Sequence, residues 1–216
     1  MKSNREIKKK ILNKKMVVLV VMLFLFIVLT ILTKTHVIRP LDDMVESFVI
    51  GIRNDKLTNI MVVITNLSRA YFLISVSIIL LFILKNKKHA VLVIINLITV
   101  FLTSQLLKLI FHRNRPDGEF LVGAKGYSYP SGHAMVSLAY FTLILYFINK
   151  RVKNKTTRIL LSVITYVLVV FIGLSRIYLG VHYTSDVLAG FILSIAYMMI
   201  FLSIINKKEK LWKLLV

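Results

Sequence analysis

Residues 90–110 read AVLVIINLITVFLTSQLLKLI, and Lys108 is the only charged residue among them. An apolar segment of roughly 20 residues is long enough to cross a bilayer as an α-helix. Five further apolar runs occur in the chain, at 16–33, 57–84, 133–149, 158–176 and 183–205. The sequence therefore predicts an all-α integral membrane bundle of six spans, in which 90–110 is the third.

The second run differs from the others because three polar residues interrupt it: Asn66, Ser68 and Arg69. We therefore expect it to be broken. Two forms fit the pattern: one bent span over 57–84, or a span over 70–84 preceded by a segment, 57–68, that packs at the outer surface. We interpret Arg69 as an interface anchor, and contact with a functional site is the alternative.

The composition is typical of a membrane protein. The chain has 216 residues, of which 57% are hydrophobic, and its formal net charge is +20. The long apolar runs exclude a soluble nucleic-acid-binding domain, which is the other common meaning of a strongly basic chain. The absence of cysteine excludes disulfides and thiolate metal sites. No small-residue cleavage site follows the first run, so we expect a retained span and one compact domain over 1–216.

The basic residues are unevenly distributed along the chain. They concentrate in four segments, 2–15, 85–88, 150–158 and 207–213. Because cytoplasmic segments of membrane proteins are enriched in Lys and Arg, both termini are predicted to be cytoplasmic, in a multi-pass protein of the cell membrane. With six spans, the three polar segments of the chain then share the extracytoplasmic face: 108–116, 130–133 and 175–186.

An additional amphipathic helix is predicted over 41–52. Its apolar residues recur at helical spacing: Leu41, Met44, Val45, Phe48, Val49 and Ile52. Pro40 precedes it, and Asp42 and Asp43 favour a helix start. The pattern indicates a helix on the extracytoplasmic membrane surface. A plain packing helix is the alternative.

The first polar segment, 108–116, combines two cations with a proline. Lys108 and Arg115 are seven residues apart, which places them two turns apart on one helix face. Pro116 disfavours helix at the residue before it and redirects the chain. The two cations are therefore expected to converge on one anion, with Arg115 as a fork and Lys108 as a point charge. His112 and Arg113 are interpreted as surface or supporting groups.

The second polar segment is Pro130-Ser131-Gly132-His133, at the start of the fourth span. Free backbone N–H groups at a helix start bind anions, and Gly132 lets a ligand approach the backbone closely. Ser131 adds a hydroxyl donor, and His133 is placed to protonate a leaving oxygen. The alternative is a serine N-cap with an incidental histidine.

The third polar segment supplies Arg176, His182 and Asp186. Arg176 is a further fork for phosphate oxygens, while His182 and Asp186 are four residues apart and share a helix face. A carboxylate next to an imidazole fixes its tautomer, so that the other ring nitrogen can attack phosphorus and form a phosphohistidine. Three cations in the same place oppose binding of a divalent metal, so no metal is expected.

Together the three segments resemble the signature of the type 2 phosphatidic acid phosphatase superfamily, which reads Lys-x6-Arg-Pro, Pro-Ser-Gly-His and Ser-Arg-x5-His-x3-Asp. In this chain they run from Lys108 to Pro116, from Pro130 to His133 and from Ser175 to Asp186, with no departure at a signature position. Each part alone is a weak match, but three in order are specific. The signature covers 108–186, and the six-span layout extends the similarity over nearly the whole chain.

The resemblance implies a lipid phosphatase that needs no metal or cofactor and has its site near the outer leaflet. Its implied substrates are phosphatidylglycerophosphate, undecaprenyl diphosphate or phosphatidic acid. His182 would be the nucleophile, Asp186 its orienting partner and His133 the acid. The phosphate would be bound by six residues: Lys108, Arg115, Ser131, Gly132, His133 and Arg176.

Two other functions remain open from the residues themselves. The cations alone would also suit a non-enzymatic transporter or binder of anionic lipid head groups, which needs no nucleophile. A phosphatase for soluble phosphomonoesters would use the same site, although the helix predicted over 41–52 favours lipid access. The sequence does not indicate an oligomeric state.

Overall fold

The computed structural model describes residues 2–84 and 87–215, and describes the side chains of 14–84 and 87–207. The described part contains eight helices and no strand. In chain order they are α1 (Lys2–Lys34), α2 (Arg39–Gly51), α3 (Asp55–Asn66), α4 (Ala70–Ile83), α5 (Lys87–Phe111), α6 (Gly132–Arg151), α7 (Lys155–Tyr178) and α8 (Thr184–Leu215).

Five of these helices are long and apolar enough to cross a membrane: α1, α5, α6, α7 and α8. The pair α3 and α4 meets the same criterion together and bends by 46° at its break. At about 1.5 Å per residue, α4 alone spans only about 21 Å, less than the hydrocarbon core, so it needs α3 to complete a crossing. Counted as one bent span, the pair completes the six predicted spans, and the predicted break is confirmed.

The break falls where the sequence places polar residues. α3 ends at Asn66, and Ser68 Oγ donates a hydrogen bond to the Thr65 carbonyl (3.0 Å), which compensates one of the carbonyls left free at the helix end. Arg69 has an extended backbone and precedes the first residue of α4. The interruption is therefore a capped helix end.

The predicted amphipathic helix is present as α2, which begins at Arg39 with Pro40 in its first turn. Val45 and Val49 pack against Ile177 of α7 and Val187 of α8. On the other side Met44 and Phe48 are 63% and 67% exposed. The helix therefore has one apolar face that packs on the bundle and other apolar side chains that are exposed. This is the pattern expected for a helix at the membrane interface.

Helix α6 is the centre of the bundle and packs against α5, α7 and α8. The residues of its first two turns after His133 are buried without exception, from Ala134 to Tyr140. Gly190 of α8 lets the two backbones approach: a Cβ there would lie 2.7 Å from the Ser131 carbonyl oxygen. Close approach at small residues is the usual way that membrane helices pack. It brings the start of α8 against the start of α6.

The order of the helices places the three polar segments at one end of the bundle. α5 and α7 end there, and α6 and α8 begin there. The last turns of α1 reach the same end, where Thr30 Oγ1 and the Tyr129 hydroxyl are 2.9 Å apart. The basic segments around Lys87 and 150–158 lie at the opposite end. Lys85 and the side chains of 2–10 and 208–213, which also entered the prediction of sidedness, lie outside the described residues.

Candidate active site

His182 lies in the tight connection between α7 and α8. This turn needs Gly180, whose φ is +74°, and a Cβ at that position would meet Arg53 Nη2 and the Glu119 carbonyl oxygen at 2.8 Å. The Val181 N–H donates to the Arg176 carbonyl (3.2 Å) and so closes the turn back on α7. His182 is thereby held at the base of the polar end, only 3% exposed.

Asp186 orients the imidazole of His182. His182 Nδ1 lies 3.3 Å from Asp186 Oδ2, and the Tyr183 N–H donates to the same oxygen (2.9 Å). The contact favours the tautomer with the proton on Nδ1, which leaves Nε2 with a lone pair. Nε2 lies 3.5 Å from Arg115 Nη1. The imidazole is thus placed between a carboxylate and a cation, with its reactive nitrogen toward the cation.

The electrostatics of the site keep His182 neutral. Burial lowers its pKa well below the ordinary histidine value, and the positive charges of Lys108, Arg176 and Arg115 lower it further. Burial also lowers the pKa of the Arg115 guanidinium, opposed by the charge of Asp186. A neutral imidazole with a free Nε2 is the form of histidine that can act as a nucleophile.

Lys108 and Arg115 are held by backbone carbonyls of the loop between α5 and α6 and, for Arg115, also by one carbonyl of the connection between α7 and α8. Lys108 Nζ donates to the Tyr127 carbonyl (2.6 Å). Arg115 donates through Nε to Gly126 (3.0 Å) and through Nη2 to Lys125 (2.8 Å), and through Nη1 to Val181 (2.6 Å). Among the described residues neither cation has a carboxylate within salt-bridge distance. Their positive charge therefore remains available to an anion.

Arg176 is buried at 3% exposure, and it is held by Thr65 at the end of α3, whose Oγ1 accepts a hydrogen bond from Arg176 Nη1 (2.7 Å). Its Nε has no partner in the described part of the chain, and the same is true of Ser131 Oγ and His133 Nε2. Buried polar atoms are nearly always hydrogen-bonded in proteins. Three such atoms around one site indicate a place built for a polar ligand.

A cavity of about 820 Å³ joins this polar end to an apolar trough between α4 and α5. Six of the site residues predicted from the sequence line its polar end: Lys108, Arg115, Gly132, His133, Arg176 and His182. Its apolar lining includes Leu73, Ile98 and Phe101. Since Phe101 and Ile98 precede Lys108 by seven and ten residues on α5, the trough extends about 10–15 Å from the cation along the helix.

The sequence analysis named eight site residues, and the structure brings seven of them together. Six line the cavity, and the seventh, Asp186, contacts His182. Ser131 does not line the cavity, although it directly precedes Gly132 at the start of α6. Arg69, which we interpreted as an interface anchor, does line the cavity. The alternative of contact with the site therefore describes Arg69 better, because this half-buried residue lies at the break between α3 and α4, where the cavity is.

Sequence reasoning left the role of Arg113 open and missed its partner Asp42, and the two form a charged pair next to Asp186. Arg113, interpreted as a surface or supporting group, is not at the surface: Nη1 donates to Asp186 Oδ1 (2.6 Å) and Nη2 to Asp42 Oδ2 (2.8 Å), with 15% of the side chain exposed. Asp42 was interpreted only as a helix-start residue, yet it is buried. A signal existed, because Asp42 shares the inward stripe of α2 with Val45 and Val49 at i+3 and i+7.

Comparison with known proteins identifies the family of this chain. The sequence model of the PAP2 superfamily matches residues 88–210. Phosphatidylglycerophosphatase B of Bacillus subtilis (strain 168) is 32% identical over 183 residues, which are 81% of this chain and 89% of the relative. Undecaprenyl-diphosphatase of Sulfolobus acidocaldarius is 31% identical over 144 residues, 63% of this chain and 65% of the relative.

Solved structures show the same fold. The crystal structure of the transmembrane PAP2 type phosphatidylglycerolphosphate phosphatase from Bacillus subtilis superposes with a TM-score of 0.81 at 29% identity, over 88% of this chain and 96% of that one. Aquifex aeolicus LpxE, at 23% identity, shares the fold with a TM-score of 0.60 over 73% and 92% of the two chains. The family resemblance is confirmed: this chain is a multi-pass membrane protein that belongs to the PAP2 superfamily.

Proposed function

We propose that this protein is a membrane lipid phosphatase that removes phosphate from a lipid phosphomonoester or diphosphate through a phosphohistidine intermediate. The family and the names of the relatives support the phosphatase class. The observation that carries the proposal is a continuous cavity that joins a cationic, imidazole-bearing end to an apolar trough. A lipid phosphate has the same two-part chemistry, with an anionic head on an apolar chain.

In the first step, Nε2 of His182 attacks the phosphorus of the substrate. The N–P bond forms as the bond from the terminal phosphorus to its ester or bridging oxygen breaks, so that the lipid alcohol or the lipid monophosphate leaves. His133 transfers a proton to the leaving oxygen. Asp186 stabilises the positive charge that develops on the phosphorylated imidazole. The burial of Asp186 and its contact with Nδ1 support this role.

In the second step, water attacks the phosphohistidine. His133, now neutral, accepts a proton from the water, the N–P bond breaks, and inorganic phosphate leaves with His182 restored. Lys108, Arg115 and Arg176 offset the charge on the phosphate oxygens in both steps. Since the hydrogen bonds of Arg115 go to backbone carbonyls, we expect the direct donors to be Arg176 Nε and the backbone at Gly132, both of which line the cavity.

The proposed mechanism needs no metal. Among the described residues, no three His, Cys, Asp or Glu side chains are grouped so that they could hold an ion. Asp186 is already engaged by His182 and Arg113. The three cations Lys108, Arg115 and Arg176 stabilise the phosphate charge that a metal ion stabilises in metal-dependent phosphatases.

The substrate is a lipid whose phosphate group is terminal. Phosphatidylglycerophosphate is the first candidate, because the Bacillus subtilis relative that carries that name covers most of this chain. Undecaprenyl diphosphate and phosphatidic acid present the same reacting group. A panel of these lipids in one detergent, with a soluble phosphomonoester as competitor, ranks them by kcat/KM.

The mechanism is tested by acid-quench labelling with a substrate that carries radiolabelled phosphate. In the presence of EDTA we expect an acid-labile label on the protein and release of phosphate. His182→Ala should lose both, because Nε2 is the attacking atom. His36→Asn, at an exposed histidine away from the cavity, is the matched control and should keep both.

Two outcomes of this labelling contradict the proposal. Turnover by His182→Ala would reject the nucleophile. Lipid binding by the folded wild-type protein without label or phosphate release would favour the non-enzymatic binder of anionic head groups.

We also propose that both termini are cytoplasmic and that the site faces outward. The positions of Lys87 and 150–158 at the end opposite the site support this orientation. Because the chain has no cysteine, single cysteines report sidedness cleanly. Asp117→Cys should react with a membrane-impermeant maleimide on intact cells, and Lys153→Cys only after permeabilisation. The reverse pattern would contradict the orientation.

A further inference from the structure

A chain of buried polar contacts connects the surface helix α2 with the carboxylate of Asp186. Asp42 Oδ1 accepts from the Ser185 N–H (2.9 Å), and Asp42 Oδ2 accepts from Ser185 Oγ (2.6 Å) and Arg113 Nη2 (2.8 Å). Arg113 Nη1 in turn donates to Asp186 Oδ1 (2.6 Å) and to Ser185 Oγ (2.7 Å). Both carboxylate side chains are completely buried.

This chain determines how the carboxylate of Asp186 can lie. Oδ2 is occupied by His182 Nδ1 and the Tyr183 N–H, and Oδ1 by Arg113. Rotation of the carboxylate would break contacts on both oxygens. The orientation of the His182 imidazole therefore depends on where Arg113 holds Oδ1.

Arg113 is itself fixed from two directions. Its two Nη atoms bind two different carboxylates, a fork that the point charge of a lysine does not reproduce. Its guanidinium also lies over the Tyr183 ring, 4.2 Å from the ring centre. Asp42 belongs to α2, which lies outside the six spans. The position of Asp42, and through it that of Arg113, therefore depends on how α2 packs against the bundle.

We propose that Arg113 and Asp42 are positioning residues that hold Asp186 in the orientation required to direct Nε2 of His182 at phosphorus. Docking of α2 is then part of the assembly of the active site. This inference rests on the proposed function, and it adds to the site two residues that do not touch the phosphate.

The test compares two neighbouring acids of the same helix. Asp42→Asn removes the charge that holds Arg113, whereas Asp43→Asn removes an exposed charge that pairs only with Arg39 among the described residues. We expect kcat of Asp42→Asn and of Arg113→Gln to fall by roughly 10- to 100-fold, as for the loss of groups that orient a reacting residue. KM and the inhibition constant of inorganic phosphate should change less than about threefold, because the phosphate-binding groups stay in place. Asp43→Asn should match the wild type.

Two further variants keep the test decisive if a buried charge change prevents folding. Ser185→Ala removes one hydroxyl from these buried contacts and leaves Arg113 paired with both carboxylates. It should lower kcat by a smaller factor than Asp42→Asn, at unchanged KM. The double variant Asp42→Asn/Arg113→Gln should lose no more than the worse single variant, because both changes break one unit.

Several outcomes would overturn the inference. Wild-type kcat in Arg113→Gln or Ser185→Ala would do so, as would equal kcat values in Asp42→Asn and Asp43→Asn. If a variant lowers the melting temperature but leaves kcat per folded molecule unchanged, these buried polar contacts contribute to stability and not to catalysis. Failure of the proposed function is a separate result, because the wild-type protein itself would then release no phosphate and carry no label.

Discussion

The two ends of the bundle are both basic, yet they differ in how the charges are surrounded. At the end formed by Lys87, Arg151 and 153–158 the cations are exposed. At the other end Lys108 and Arg176 are 8% and 3% exposed and lie around one cavity. Exposed charges are screened by water and ions, whereas enclosed ones act strongly on a bound anion. The burial of the cations around one cavity, and not their number, therefore distinguishes the candidate site from the cluster of exposed charges at the other end.

The sharpest test of this difference removes one arginine from each end. Arg176→Gln should lower kcat/KM by about 100- to 1000-fold, the usual cost of losing a donor that stabilises transition-state charge. Arg158→Gln, an exposed arginine at the opposite end, should change kcat/KM less than about twofold, because solvent already screens its charge. Initial rates on one lipid substrate, normalised to folded protein, measure both. Equal losses in the two variants would contradict the role given to enclosure.

A second test uses pH. The positive charge of Lys108 is one of the causes that lower the His182 pKa. The nucleophile is neutral above its pKa, so activity falls as pH drops through that value. In Lys108→Gln the pKa of His182 should rise toward its ordinary value, and the acid limb of the kcat/KM profile should move to higher pH.

Ionisation of the substrate contributes equally to the two profiles and cancels in the comparison. Arg158→Gln again serves as the control, because its charge lies at the far end of the bundle and should leave the acid limb where it is. An unshifted limb in Lys108→Gln would show that the cations of the cavity do not act on His182.

The smallest expected effect concerns the apolar part of the cavity. Ile98→Gln places an amide in the trough between α4 and α5, where a lipid chain would lie. Because one apolar contact contributes about 1–3 kcal/mol to selectivity, kcat/KM for the lipid should fall by about 10-fold or more. Turnover of a short soluble phosphomonoester should not change. A parallel loss on both substrates would indicate that the trough does not bind the lipid chain.

Much of this architecture was readable from local patterns. The apolar runs predicted the spans, because a helix must be about as long as the bilayer is thick. The interruption at Asn66, Ser68 and Arg69 predicted the break between α3 and α4, which the structure confirms. The spacing of the apolar residues of 41–52 predicted α2. Each of these features depends only on neighbours in sequence.

The supporting contacts were not readable in this way. Arg113 bonds Asp42 across 71 positions, and Arg176 bonds Thr65 across 111. A charge next to an apolar span has the same local pattern whether it faces water or a buried partner. The interpretation of Arg113 therefore left a surface position open beside the supporting role that the structure shows. The interpretation of Arg69 as an interface anchor favoured the surface over the cavity that this residue lines.

The sequence by itself determined that the chain crosses a membrane and that its three polar segments meet at one end, because hydrophobic length and helix alternation leave few other arrangements. Only the tertiary structure decided which cations are enclosed, which carbonyls hold Lys108 and Arg115, and that α2 reaches Asp186 through Arg113. Enclosure and directed hydrogen bonds require several helices to be in place at once, and that geometry has no local signature.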